Sequence, residues 1–527
     1  MRIKSTLIGI SLLLVLSCGQ KKVETPEIEA HQPVLPVLAK KERNQVLKIS
    51  MELPDSLQTA TLTVFEFSLD GTTDVNDIAQ ATLLFHKEDN FDEAEVFGST
   101  SDVATNFSIS GNQKLSSREN HFWLSVELDG IPELTNKVAA HLVSATLSDG
   151  TIIRPENKSR PKPQRIGLAL KQAGEDNIDT YRIPGLATTN KGTLIAVYDN
   201  RYNDPVDLQE DIDVGMSRST DGGQSWEPMK VIMDMGEYGG LPENQNGIGD
   251  PAVLVDRSTN TIWVAALWLH GYPGERAWNA SQPGMSPEET GQLMLVKSDD
   301  DGLTWSEPIN ITPQTKNPEW QLFFNGPGAG ITMQDGTLVF AAQFKDKDRI
   351  PHATIIYSKD GGKSWHVGTG AKSETTEAQV VELSDGGLML NMRDDRNRAN
   401  RKDSMNGRSV AITKDLGKTW TEHATSRKAL IEPNCMASII AYDHPEKGKI
   451  LFFSNPDSKT ERNHITVKTS FDEGMTWPVE NQVELYENGT YGYSCLTMVD
   501  DNHLGILYEG VKELYFQKIP LDELLSP

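Results

Sequence analysis

The sequence predicts an all-β protein, a six-bladed β-propeller preceded by a small β-sandwich. Three observations carry this reading. First, one eight-residue unit recurs five times, as Ser219-Thr220-Asp221-Gly222-Gly223-Gln224-Ser225-Trp226 and again at 298–305, 358–365, 413–420 and 470–477. Its tryptophans lie 79, 60, 55 and 57 residues apart, and self-similarity at such a period marks a repeat architecture. Second, residues 46–153 alternate apolar and polar side chains in short stretches such as ATLTVFEFSL and HFWLSVEL, the period-two pattern of half-buried strands. Third, the 527 residues include 42 Gly, 27 Pro and 10 Trp, a composition rich in turns and in aromatic packing surface.

Taken in chain order, residues 1–18 (MRIKSTLIGISLLLVLSC) combine Arg2 and Lys4 with an apolar stretch too short to span a bilayer. The segment resembles a bacterial lipoprotein signal ending at its lipobox cysteine. That resemblance implies export, acylation of Cys18 and anchoring to the cell envelope. Residues 19–45 are then expected to be a polar tether. Residues 46–153 follow as a sandwich with a carbohydrate-binding or purely spacing role, and 154–167 as a basic, Pro-rich linker. The propeller occupies 168–527. No later segment has 18 consecutive apolar residues. Besides Cys18 the thiols are Cys435 and Cys495, which are left to pair or to remain free.

The recurring unit has a direct physical meaning. Its Asp accepts backbone N–H groups in a hairpin turn, its Gly takes a positive φ, and its Trp packs between neighbouring sheets. One such hairpin per small antiparallel sheet, repeated around a ring, is a propeller; five units fit six blades with one degenerate. The unit resembles the Asp-box of sialidases and several other propellers, which fixes fold rather than activity.

Other residues point to chemistry. A formal net charge of −25 and a pI near 4.9 exclude a nucleic-acid binder, which needs a basic stripe for phosphates. The 11 His show no metal-binding spacing, and Asp394-Asp395 and Asp299-Asp300-Asp301 lack a full calcium-loop pattern. No cofactor and no metal are expected.

Between the repeats stand Tyr181-Arg182-Ile183-Pro184, Arg201 six residues before Asp207, Gly249-Asp250-Pro251, Thr376-Glu377-Ala378, Leu390-Asn391-Met392-Arg393, Glu461-Arg462-Asn463 and Gly492-Tyr493-Ser494. In this order and interleaving they resemble the exo-α-sialidases, glycosidases that remove terminal sialic acid. The resemblance covers most of 170–520. It implies a clamp of Arg182, Arg393 and Arg462 for the sugar carboxylate, with Arg201 and Asp250 as further pocket residues. Asp207 would be the acid/base, Tyr493 the nucleophile and Glu377 its activating base. Asp204 and Asp211 rival Asp207, Glu374 and Glu382 rival Glu377, Arg396 and Arg398 rival Arg393, and Tyr491 rivals Tyr493. Trp268 and Trp278 are candidates to wall the pocket against the N-acetyl group.

The residue types suit the chemistry. Guanidinium groups stay protonated and bind a carboxylate through charge-assisted, partly bidentate bonds. A carboxylate nucleophile would be repelled by the substrate's own carboxylate, whereas a phenol is neutral; sialidases are the tyrosine exception among glycosidases. A phenol near pKa ~10 needs a base within reach, and neighbouring arginines favour the phenolate. The expected partners are sialylated glycans and, through the lipid, a membrane, with the protein acting as a monomer. The expected reaction is hydrolysis with retention. The alternatives are sialyl transfer, to another acceptor or to the substrate's own hydroxyl, and glycan binding without turnover.

Overall fold

The computed structural model describes residues 26–54, 60–115, 119–155, 162–269, 271, 275–399 and 405–526. The expected signal segment with Cys18 lies outside the described residues. Among the described residues the chain is almost entirely β, and no helix is long and apolar enough to cross a membrane.

Two sheets form the N-terminal region. In spatial order the first holds the strands Glu27–His31, Asn44–Glu52, Glu119–Leu128, Ile78–His86 and Glu95–Thr100. The second holds Ile152–Ile153, His141–Leu147, Thr61–Ser68 and Asn106–Lys114. Alternation turns one face of each sheet inward, where Phe65, Phe97 and Phe122 meet with Phe65 and Phe122 ring centroids 4.9 Å apart. This matches the predicted sandwich.

Its borders differ from the expectation. Glu27–His31 is an edge strand paired antiparallel with Asn44–Glu52, and buried Ile28 anchors it. Val37–Ala39, all three buried, pairs in parallel with Gln164–Lys171. Part of the expected tether is therefore strand, and the expected linker already yields to a strand at Gln164. Val37–Ala39 is short and lies beside Pro, and its pairing depends on a partner more than a hundred residues away.

Six further sheets follow along the chain among the described residues. The first strands of these sheets (Thr180–Thr188, Ile248–Val255, the interrupted run from Leu322 to Thr332, Thr375–Glu382, Ser438–His444 and Ser494–Asp500) line the centre, where they touch one another from sheet to sheet. The last sheet closes the circuit, because Gln164–Lys171 pairs antiparallel with Leu514–Pro520.

All five predicted turn units form, each starting on the last residue of its sheet's third strand. In the first, Asp221 accepts the Ser225 N–H at 2.9 Å and both the Ser219 and Ser225 hydroxyls, while Ser219 Oγ accepts the Gly223 N–H. Gly223 has φ +89°, and a β-carbon there would run into the Phe516 ring of the closing sheet. The equivalent glycines of the next four units press in turn on Ile195, Trp263, Ile355 and Met389, each in the preceding sheet. Every unit thus leans on its predecessor, and the first leans on the last sheet. This cyclic packing is what a propeller requires. Cys435 and Cys495 are both buried and both free.

Candidate active site

The predicted residues converge at one face of the ring. They sit at the starts of the central strands (Arg182, Asp250, Glu377 and Tyr493) and at the ends of the second strands (Arg201 and Arg393). Antiparallel order puts the start of a first strand beside the end of the second, so one face collects both groups.

Tyr493 is the meeting point. Its hydroxyl donates to Glu377 Oε1 at 2.5 Å and accepts from Arg393 Nη1 at 3.1 Å. The same Nη1 donates to Glu377 Oε2 at 2.6 Å. Burial and the neighbouring Glu377 push the Tyr493 phenol well up, and Arg393 and Arg462 only partly offset this. At rest the group is therefore a neutral phenol; the arginines do not make it a phenolate. Glu377 is held below its ordinary carboxylate range: burial works the other way, but Arg393 and the Tyr493 hydrogen bond prevail.

The three arginines expected in the clamp do surround this phenol. Arg182 lies with its guanidinium 4.8 Å from the Tyr491 ring centroid and 5.3 Å from that of Tyr493, and Arg462 lies 5.6 Å from the Tyr493 ring. Arg462 is fixed by two carbonyls, donating to Tyr491 at 2.9 Å and to Asn434 at 3.1 Å. Of the rivals, Tyr491 supplies that carbonyl and a face for Arg182, while Arg396 is tied to Asp394.

Sequence reasoning missed the group that holds Arg182. Glu509, fully buried, accepts from Arg182 Nε at 3.1 Å and from the backbone N–H groups of Ile183 and Tyr493, both at 2.9 Å. One carboxylate thereby aligns a clamp arginine with the strand that carries the phenol. Ile183 has φ +56°, a strained conformation for a β-branched residue, and its N–H bond to Glu509 helps to hold it. The available signal was a lone acid ending an apolar strand, His503–Glu509.

Asp207 lies on the loop after the second strand, and its side chain is 76% exposed. It accepts from Arg201 Nη1 at 2.7 Å and Arg182 Nη1 at 3.3 Å. Enclosure among the pocket walls would raise its carboxyl, but Arg201 and Arg182 outweigh this and hold it low. Arg201 itself is fully buried, with Asp199 accepting from its Nε and Nη2 at 3.1 and 2.8 Å. Its Nη1 holds the Asp207 loop, donating to Asp207 and to the Pro205 carbonyl, both at 2.7 Å.

Asp250 adopts φ +55° between two anchors. Its N–H donates to Asp199 at 2.8 Å and its carbonyl accepts from Asn325 at 2.7 Å. Burial and the nearby Asp199, Asp207 and Glu377 push its carboxyl well above the carboxylate range.

Trp268 does not wall the pocket. It is fully buried between two sheets, with its ring 5.0 Å from Tyr238 and packed beside Ile248. Strand alternation turns it into the inter-sheet core. Trp278 lies closer to the expectation: half-buried, it packs with Phe324 and Leu208, the residue after Asp207, and Lys345 sits 4.1 Å above its ring.

Near the Asp207 loop, Asp211, Asp213 and Glu243 bring three carboxylate oxygens within 4.8 Å of one another. Burial first, then Asp234, Asp211 and Glu243, push Asp213 up to about 7, partly offset by the Tyr202 hydroxyl that donates to it at 2.9 Å. A raised carboxyl pKa means the folded chain keeps a proton that the unfolded chain loses near pH ~4. Stability due to this group therefore falls as pH climbs from ~4 through 7. Asp213→Asn is expected to raise the melting temperature at pH 8 and to raise it distinctly less near pH 5. Thermal melts across that range check this; a parallel offset at both pH values would refute it.

Comparison with known proteins agrees with this geometry. Residues 183–509 match the family model described as a BNR repeat-like domain, and 25–151 match the N-terminal domain of BNR-repeat neuraminidase. A sialidase of Bacteroides fragilis is 51% identical over 422 residues, spanning 79% of this chain and 76% of its own. A sialidase of Micromonospora viridifaciens is 32% identical over 368 residues, or 67% of this chain and 54% of that one. The solved structure of the Hadza microbial sialidase Hz136 superposes with a TM-score of 0.87 at 43% identity, covering 94% of this chain and 100% of its own. With most of its length accounted for in this way, the chain belongs to the BNR-repeat neuraminidase family.

Proposed function

We propose that the protein is an exo-α-sialidase, releasing terminal sialic acid from glycoproteins, glycolipids and oligosaccharides with retention of configuration. The observation that carries this is the Tyr493 hydroxyl, held at once by Glu377 and Arg393 amid arginines from separate sheets. We also read the six sheets after the sandwich as six blades.

The resting contacts suggest how binding starts the chemistry. A substrate carboxylate lying across Arg182, Arg393 and Arg462 competes with the anions that Arg182 and Arg393 now serve. Arg393 loosens its hold on Glu377, which becomes a stronger base. Arg182 loosens its hold on Asp207, whose carboxyl rises toward protonation. The Tyr493 oxygen then attacks the anomeric carbon as its proton passes to Glu377. The glycosidic C–O bond breaks and its oxygen takes the Asp207 proton. In the second half Asp207 accepts a proton from water, whose oxygen displaces Tyr493, and Glu377 returns the phenolic proton. Two inversions at one carbon leave its configuration retained.

Proton NMR of a sialyllactose digest tests the reading. The α-anomer of free sialic acid is expected first, with the β-anomer following by mutarotation. A sialylated or anhydro product would move the reaction to sialyl transfer, and saturable binding without product would leave a lectin.

A further inference from the structure

Asn434 lies between two of the clamp arginines and is absent from the motifs that pointed to the site. We propose that Asn434 is the positioning residue that sets Arg393 and Arg462 relative to each other for the ligand carboxylate. The inference rests on the sialidase reading for the identity of that ligand.

Each hydrogen-bonding group of this residue that matters is in use. Its Oδ1 accepts from Arg393 Nη2 at 3.0 Å and from Arg398 Nε at 3.2 Å. Its Nδ2 donates to the Asp394 carbonyl at 3.0 Å and to Asp395 at 3.1 Å. Its own carbonyl accepts from Arg462 Nη2 at 3.1 Å. One residue, 5% exposed, thus touches Arg393 through its side chain and Arg462 through its backbone.

The residue type follows from these demands. The backbone is left-handed at φ +58°, which asparagine tolerates better than other non-glycine residues. Two arginines require an acceptor and two anionic or carbonyl neighbours require a donor, and a primary amide provides both. Arg393 needs such a holder. Its Nη1 is taken by Glu377 and Tyr493, and its buried Nε makes no hydrogen bond but faces Asp395 across 3.9 Å, so the Nη2 bond to Asn434 completes the hold on the plane of the guanidinium. The next residue, Cys435, packs with Ile183 and Tyr493 beneath the site, so the turn at Asn434 is stiff. Asn434 itself meets no ligand; it acts through the arginines.

The experiment measures the affinity of free sialic acid by calorimetry, beside kcat and KM on an aryl sialoside. Asn434→Gly keeps the left-handed backbone and its carbonyl on Arg462 and deletes only the amide. It is expected to weaken sialic acid and raise KM about tenfold, with kcat falling less than about threefold. Asn434→Asp keeps the acceptor for Arg393 but sets an oxygen against Asp395 and the Asp394 carbonyl, and is expected to recover only part of the glycine variant's loss in KM. In an Arg393→Lys background, which lacks Nη2, the glycine substitution is expected to cost less than about twofold. A lowered melting temperature with affinity unchanged would overturn the proposal in favour of a purely structural role. A full tenfold loss persisting in the lysine background would overturn it as well. Calorimetry reads the clamp without turnover, so an inactive wild type that still binds sialic acid would count against the hydrolase reading and not against Asn434.

Discussion

Tyr493→Phe is expected to lower kcat on sialyllactose by about a thousandfold or more, the scale seen when a covalent nucleophile is removed. The phenol oxygen is the only group of Tyr493 that meets both Glu377 and Arg393, at 2.5 and 3.1 Å. Phenylalanine keeps the ring that Arg182 and Arg462 lie against, so the pocket keeps its shape. Glu377 and Arg393 remain paired at 2.6 Å, so no buried charge is orphaned. The loss should therefore fall on kcat, with the melting temperature and the affinity for free sialic acid close to wild type. Steady-state kinetics, a thermal melt and the NMR digest check the three parts. A variant retaining a tenth of wild-type kcat would mean that Tyr493 is not the nucleophile.

The second large effect is expected at Glu509, outside the chemistry itself. Glu509→Ala removes a carboxylate that serves one guanidinium and two backbone N–H groups in a fully buried setting. Breaking a buried pair by deleting one partner costs about 3–5 kcal/mol, because the other charge is left uncompensated. For a chain of this size unfolding in one transition, that is a fall in melting temperature on the order of 3–5 °C. Activity should collapse in the protein that remains folded, since Arg182 loses its orientation and the Ile183 and Tyr493 N–H groups lose their shared acceptor. Glu509→Gln should recover only part of the stability, because its amide end would face donors and not acceptors. A Glu509→Ala protein with normal KM and kcat would show that Arg182 is held by other means.

Both substitutions show what was and was not legible in the sequence. The turn units were legible because their chemistry is local: Asp360, for example, binds Ser358 and Ser364 within its own turn. The site was legible where it falls on short motifs, as at Arg182, Glu377, Arg393 and Tyr493. Glu509 and Asn434 were not, because each is a single side chain whose role is set by partners brought together only when sheets close on one another. Trp268 failed for a related reason, since a tryptophan beside the site region packs into the core or the pocket according to strand facing alone. Arg201 was found, but its anchoring was not. Spacing placed it next to Asp207, but only the fold shows it sealed against Asp199. The tether was misjudged because Val37–Ala39 is three residues long and its partner strand begins at Gln164.

That short strand has a consequence for how the protein can be divided. Val37–Ala39 lies on one side of Gln164–Lys171, and the chain's last strand, Leu514–Pro520, lies on the other. The seam that closes the ring is thus covered by residues from the far N-terminus, and Gln32 adds a side-chain bond to Gln164 at 3.1 Å. Lys137 and Arg165 further share Glu523. The sandwich is accordingly no detachable module. Cut away, it would take with it the cover of the closing sheet and bare a strand edge open to pairing with another molecule. Grafted onto another propeller, it would bring a strand with no seam to enter. The two regions are thus joined along a shared seam, and the sandwich is tied to the closing sheet by strand, hydrogen bond and ion pair together.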